Sequence, residues 1–246
     1  MKRAIIIGNS GGTKNFLEGV EQDIQNTVSF LKSKNGGAWE EDEILIYKDK
    51  ASLSQLQTTF QLLKSFGCEY FFILFTGHGN CDQYGNTYFE LKPDGEDLPV
   101  SQLEQWVKNT PTLLIADSCH SVYHRPQILI ESQRRMFSGG RLLSRKDYQE
   151  VYNNHLRLLN KNTFIFASSC SFGQSAEDTS NGGLYLHTMF QFLQYLIENE
   201  ETPQSIGIGY IQDQVRARVF RITNGKQTPE ITGIKRGELQ PPVILI

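Results

Sequence analysis

A histidine and a cysteine 41 residues apart, His78 and Cys119, are the side chains in this sequence best suited to covalent chemistry. Each follows an apolar run: EYFFILFTGHGN spans 69–80 and TLLIADSCHS spans 112–121. A cysteine nucleophile needs a proton shuttle and donors for the oxyanion that forms when it attacks a carbonyl. Cys119 supplies the sulfur and His78 is the candidate shuttle, which would protonate a leaving amine and then activate water. An unperturbed thiol titrates near pH 8.5, so a neighbouring imidazole can make it reactive at neutral pH. Gly77 and Gly79 flank the histidine, letting the backbone turn sharply and a substrate come close. The amides of Gly79 and Cys119 are the candidate oxyanion donors.

Two residues so far apart must be brought together by the fold. Their runs read as fully buried parallel strands, and sites in open α/β sheets collect at the carboxyl ends of such strands. Further strands are expected at 3–8, 43–47 and 163–168, and a closing strand at 243–246 that pairs with a second copy or is covered. Val20, Ile24, Val28 and Leu31 have helical spacing, as do Leu53, Leu56, Phe60 and Leu63, where Ser52 is the expected N-cap. A short helix is expected around 103–107, a long amphipathic one through Leu186, Met189, Leu193 and Ile197, and another across 204–220. Alternating strands and helices imply an α/β fold, a mostly parallel central sheet with helices on both faces.

The 246 residues suffice for one domain with a real core, and no break divides them. The net charge of −3 gives no reason to expect nucleic acid or an anionic membrane as partner, and no apolar run reaches membrane-spanning length. Cys68, Cys81, Cys119 and Cys170 lack metal-binding spacing, and they fit a reduced, cytoplasmic protein better than a disulfide scaffold. The N-terminal apolar run ends at Gly8, too short for a signal peptide.

The stretch 122–161 departs from the alternating pattern. It carries Arg134, Arg135, Arg141 and Arg145, with Gly139 and Gly140 between them. It reads either as an exposed basic loop leading into a helix (Tyr148, Tyr152, Leu156 and Leu159 are suitably spaced) or as a loop cut during activation.

FTGHGN and ADSCHS together resemble the His-Gly and Asp-x-Cys-x-Ser motifs of caspase-like cysteine peptidases, particularly the metacaspase-like branch. A His about 50 residues before the Cys is the caspase spacing. The likeness extends to LEGVEQDIQNTVSFLK (17–32), SSCSFGQSAED with GGLYLHT (168–188), and a late Gln-x-Pro element in GKQTPEITG (225–233). It implies a caspase–haemoglobinase fold with about six central strands, a single peptidase domain over 1–246, and peptide hydrolysis through an acyl-enzyme on Cys119.

The resemblance also implies that Asp117 lines the pocket for the residue before the cut, favouring Arg or Lys, with Ser168 and Asp178 as further substrate-binding residues and Glu177 as a further acid. Asp117 could instead cap a turn or orient backbone amides. Where metacaspases often carry another acid stands Phe172, and Val122 replaces the usual Gly after Asp-x-Cys-x-Ser.

A basic loop beside an acidic pocket suggests a zymogen cut after Arg134, Arg135, Arg141 or Arg145, by itself or by an upstream protease. No cofactor is expected; Asp94, Glu96 and Asp97 read as a solvated turn rather than a calcium site. His120 is the weaker shuttle and Cys170 the rival nucleophile. The expected partners are protein or peptide substrates, and small prokaryotic relatives suggest, by analogy, cell death or antiphage defence. Two alternatives stand beside this reading. One is a catalytically inactive caspase-like interaction module. The other is a nucleotide binder using GNSGG (8–12), whose spacing matches neither GxGxxG nor the P-loop.

Overall fold

The structure, a computed structural model, describes residues 1–13, 15–93, 95–119, 144–199 and 204–246. The first half runs β1 (Lys2–Asn9), α1 (Gly19–Lys32), β2 (Ile44–Lys48), α2 (Leu53–Ser65) and β3 (Tyr70–Gly77). A small meander follows, β4 (Gly79–Cys81), β5 (Thr87–Glu90) and β6 (Asp97–Pro99), then α3 (Val100–Val107) and β7 (Thr112–Ser118). The second half holds α4 (Arg145–Arg157), β8 (Phe164–Ser168), β9 (Asp178–Thr179), β10 (Gly182–Gly183) and α5 (Leu184–Asn199). It closes with β11 (Ser205–Gly207), α6 (Ile208–Ile222), β12 (Glu230–Thr232) and β13 (Pro242–Leu245).

Six strands form the central sheet in the order β12-β8-β7-β3-β1-β2. The five from β8 to β2 are parallel, and β12 joins the β8 edge antiparallel. The apolar runs of β1, β3 and β7 are buried on both faces because alternate side chains enter two separate cores. Ile6, Leu74 and Ile115 pack with α1, α4, α5 and α6, whereas Ile7, Phe75 and Ala116 pack with α2, α3 and the meander. Ser52 caps α2 as its sequence suggests, its hydroxyl accepting the Gln55 amide at 3.2 Å.

Two expectations are corrected at the C-terminal end. The segment expected to be helical from 204 starts as strand β11, and only Ile208 onward is helix. The closing strand β13 does not extend the central sheet: it pairs antiparallel with β11. Its other side is covered by Asn35, whose side chain donates to the Leu245 carbonyl at 2.7 Å and whose carbonyl accepts the Leu245 amide. The sixth central strand is instead β12, three residues that sequence pattern alone does not reveal.

Candidate active site

The β3–β7 ladder ends on the pair Gly77–Ser118, so His78 and Cys119 are the next residue on each of two adjacent parallel strands. Such strands lie about 4.8 Å apart. The two candidate residues therefore leave the sheet side by side, at the carboxyl edge where α/β sites form.

Each is held by a backbone carbonyl. His78 Nε2 lies 2.6 Å from the Asn15 carbonyl. A carbonyl only accepts, so Nε2 carries a hydrogen, and in a neutral ring Nδ1 is then the nitrogen that can take a thiol proton. Asn15, which sequence reading did not single out, thus does for the imidazole what an acid does in a triad. Gly11 makes the contact sterically feasible: a Cβ there would sit 2.5 Å from His78 Nε2, and its φ of +76° already disfavours side chains. Gly11→Ala is therefore expected to displace the ring and lower kcat on a cleaved peptide about tenfold or more. Steady-state kinetics beside a thermal melt would separate this from a simple loss of fold.

Cys119 Sγ donates to the Ala176 carbonyl at 3.6 Å, which ties the nucleophile candidate to the loop after β8. Gly79 pairs with Phe89 in the meander, and the neighbouring Glu90 amide bonds the His78 carbonyl at 3.0 Å. Because bonded and non-bonded pairs alternate in antiparallel ladders, Gly79 falls at a non-bonded position and its amide points away from β5. The ladder leaves that donor available for an oxyanion.

Asp117 lies on the same face of the sheet as Thr76 and forms a buried acid pair with Asp23 of α1. Only 6% of Asp117 and 1% of Asp23 are exposed. Asp117 Oδ2 accepts the Leu186 amide in the first turn of α5 at 3.0 Å, and Asp23 accepts the Thr76 hydroxyl at 2.7 Å and the Gly183 amide at 3.1 Å. Burial pushes Asp117 up to about 7, with the negative charge of Asp178 adding to it; burial and then the charge of Asp117 push Asp23 well above the usual carboxylate range. No salt bridge reaches either carboxylate among the described residues. Backbone amides of β10 and of the first turn of α5 thus hold the two acids in place.

Asp23 is not singled out by sequence reading, although its place on the face of Val20, Ile24 and Leu31 marks a carboxylate turned toward the core. Asp178 is half-buried and accepts the first amide of α1, from Gly19, at 3.1 Å. Ser168 is turned inward, its hydroxyl donating to the Cys170 carbonyl at 3.2 Å. Glu177 is buried next to Ala176; its Oε2 has no hydrogen-bond partner among the described residues, and burial raises its pKa. Phe172 is 56% exposed.

Cys170, the rival nucleophile, is fully buried, its thiol within 3.4 Å of the Ser118 and Gln174 carbonyls, whereas Cys119 is half-buried. Immediately before Cys119, Ser118 has a buried hydroxyl with no hydrogen-bond partner among the described residues. Such a group keeps its desolvation cost, so Ser118→Ala is expected to leave the fold as stable or more stable by about 1 kcal/mol, as urea titration would read.

His120, Val122, Arg134, Arg135 and Arg141 lie outside the described residues, as does Asp94. Arg145 is the first residue of α4, whose N-cap is Ser144. Its guanidinium bonds the Lys32 carbonyl and, at 2.9 Å, the Trp39 carbonyl, and lies 3.5 Å from Glu40. The bond after it lies within a helical turn, so cutting there requires unwinding. Of the expected acidic turn, Glu96 accepts the Leu53 amide at 2.8 Å and Asp97 belongs to β6. Among the described residues no three His, Cys, Asp or Glu side chains are grouped to hold a metal. No described helix is long and apolar enough to cross a membrane.

The sequence matches the family described as Caspase domain over residues 1–238, and the chain belongs to that family. Its members are cysteine peptidases. No curated protein matches the chain. Among solved structures it is similar to caspase-1 from Spodoptera frugiperda, at 15% identity and a TM-score of 0.63, with 97% of this chain and 88% of that chain covered. A protein from Geobacter sulfurreducens shares 13% identity at a TM-score of 0.61, over 100% and 99% of the two chains. The Drosophila initiator caspase Dronc shares 10% identity at a TM-score of 0.58, over 95% and 79%. At these identities the likeness is one of fold, and the caspase fold is what the central sheet and the six α-helices of the described residues form.

Proposed function

We propose that this chain is a cysteine endopeptidase, a single peptidase domain in which Cys119 is the nucleophile and His78 the proton shuttle. The observation that carries this reading is the β3–β7 register, which brings both residues off adjacent strands at the same level. The thiol, released from the Ala176 carbonyl, gives its proton to His78 Nδ1, and sulfur attacks the substrate carbonyl carbon. The oxyanion is received by the Gly79 and Cys119 amides. The imidazolium then protonates the leaving amine, and water activated by the neutral imidazole hydrolyses the thioester to regenerate the thiol.

The residue before the cut is Arg or Lys. Supporting this is the buried pair Asp23 and Asp117, two carboxylates that no Lys or Arg among the described residues pairs with. A guanidinium would relieve their mutual repulsion and their desolvation together. Asp178 adds negative charge at the same end of the sheet. Substrate entry then requires the β9–β10 hairpin and the start of α5, which cover the acids, to shift outward. A panel of fluorogenic peptides with Arg, Lys, Asp or Leu before the cut tests the reading. Cys119-dependent cleavage after Arg or Lys is the expected result. A preference for Asp would overturn the pocket and keep the peptidase, and no cleavage after proteolytic nicking would favour a non-catalytic interaction module.

The same specificity would put a processing loop within 122–161, cut after Arg134, Arg135 or Arg141 before the helix-bound Arg145. Wild type, but not Cys119→Ala, is expected to yield those fragments by mass spectrometry on incubation. Wild type that stays whole while cleaving peptides would rule out self-processing and leave an upstream protease. A cytoplasmic role in cell death or antiphage defence remains an analogy with small prokaryotic relatives.

A further inference from the structure

The late Gln-x-Pro element puts Gln227 at the centre of the site's support. Its side chain is fully buried and forms two bonds in opposite directions. Nε2 donates to the Ser169 carbonyl at 3.0 Å, and Oε1 accepts the Glu177 amide at 3.0 Å. Both partners lead to the nucleophile. The Ser169 hydroxyl bonds both sides of Ser118, accepting its amide at 3.1 Å and donating to its carbonyl at 2.9 Å, immediately before Cys119. Glu177 follows Ala176, whose carbonyl accepts the Cys119 thiol. Gln227 is itself anchored at the end of α6, where its amide and carbonyl both bond the Thr223 hydroxyl. One amide side chain therefore sets the spacing between the strand end that carries Cys119 and the loop that receives its S–H.

We propose that Gln227 is a positioning residue for Cys119: by bridging Ser169 and Glu177 it holds the Ala176 carbonyl against the thiol and fixes the nucleophile's resting direction. The proposal rests on Cys119 being the nucleophile and adds the device that aims it. A thiol that donates to a carbonyl is held in its protonated form, and alkylation runs through the thiolate. Losing the bridge should therefore make Cys119 more open to alkylation while spoiling its aim for catalysis. Chemical reactivity and turnover move in opposite directions, which a general loss of stability does not produce in a folded enzyme.

The test is iodoacetamide labelling of the full chain, read cysteine by cysteine by mass spectrometry, for wild type, Gln227→Met and Gln227→Asn. Asn is one methylene too short to reach both partners, and it keeps the site polar should Met prevent folding. Labelling of Cys119 is expected to rise about threefold or more in a variant that melts cooperatively, with buried Cys68 and Cys81 unchanged. On an Arg peptide kcat should fall about tenfold, with KM within about twofold. Unchanged Cys119 labelling in both folded variants would overturn the proposal, as would a parallel rise at Cys68 and Cys81 in both. Absence of wild-type hydrolysis would sink the peptidase reading instead, and the labelling comparison would still decide the role of Gln227.

Discussion

Cys119→Ala is expected to remove peptide hydrolysis by at least about 10⁴-fold in kcat, and His78→Ala by a similar factor. The two losses should not add, because a thiol without its base and a base without its thiol are both idle in one step. Both variants should fold. Cys119 is half-buried at a strand end, and the His78 ring bonds a loop carbonyl, so neither side chain belongs to the apolar core. Equal melting temperatures beside lost turnover would place the effect in chemistry. A Cys119→Ala enzyme that retained more than about 1% of wild-type turnover would move the nucleophile elsewhere, and Cys170 would be the first residue to examine.

Asp117→Asn should weaken kcat/KM for Arg and Lys peptides by about a hundredfold, the scale of losing a buried charge-assisted contact, while costing peptides without a basic residue far less. The same substitution should stabilise the resting fold at alkaline pH. The folded-state value of about 7 lies above the roughly 3.9 of an unfolded Asp, so folding favours the protonated acid. This group's contribution to stability is fully present below about pH 4 and is lost as pH rises to about 7. Above that, the ionised wild type carries a desolvation penalty that Asn does not. Urea titrations at pH 4 and pH 8 read it directly: the variant should lead only at pH 8. Activity runs the other way in wild type, since kcat/KM for Arg peptides should climb through neutral pH as the acid ionises to receive its cation. Equal stability of the two proteins at both pH values would show that Asp117 does not carry the pocket's buried charge.

Where apolar pattern alone decides structure, the sequence was legible. Strands β1, β3 and β7 are runs buried on both faces, and their ends put His78 and Cys119 in place without knowledge of any partner. The helix α4 was legible from Tyr148, Tyr152 and Leu156, and the cap of α2 from Ser52. What escaped depends on pairing rather than pattern. Strand β12 is three residues long, with polar residues at both ends, and exists because its backbone bonds the edge strand β8. Strand β11 was absorbed into a helix because Ile208, Ile211 and Val215 keep helical spacing just after it. Asp23 and Gln227 are single polar residues whose meaning lies in what tertiary structure lays against them: a second acid 94 positions away for one, two loop segments for the other.

The central claim is that Cys119, served by His78, attacks a carbonyl beside a basic side chain. Its most direct test is covalent capture by a short peptidyl acyloxymethyl ketone ending in Arg, read by intact mass and fragment mapping. The expected result is one adduct per chain, on Cys119, lost in His78→Ala, and slowed about a hundredfold in Asp117→Asn or when Leu replaces Arg. An adduct on Cys170, or labelling of Cys119 at the same rate with and without His78, would contradict the mechanism.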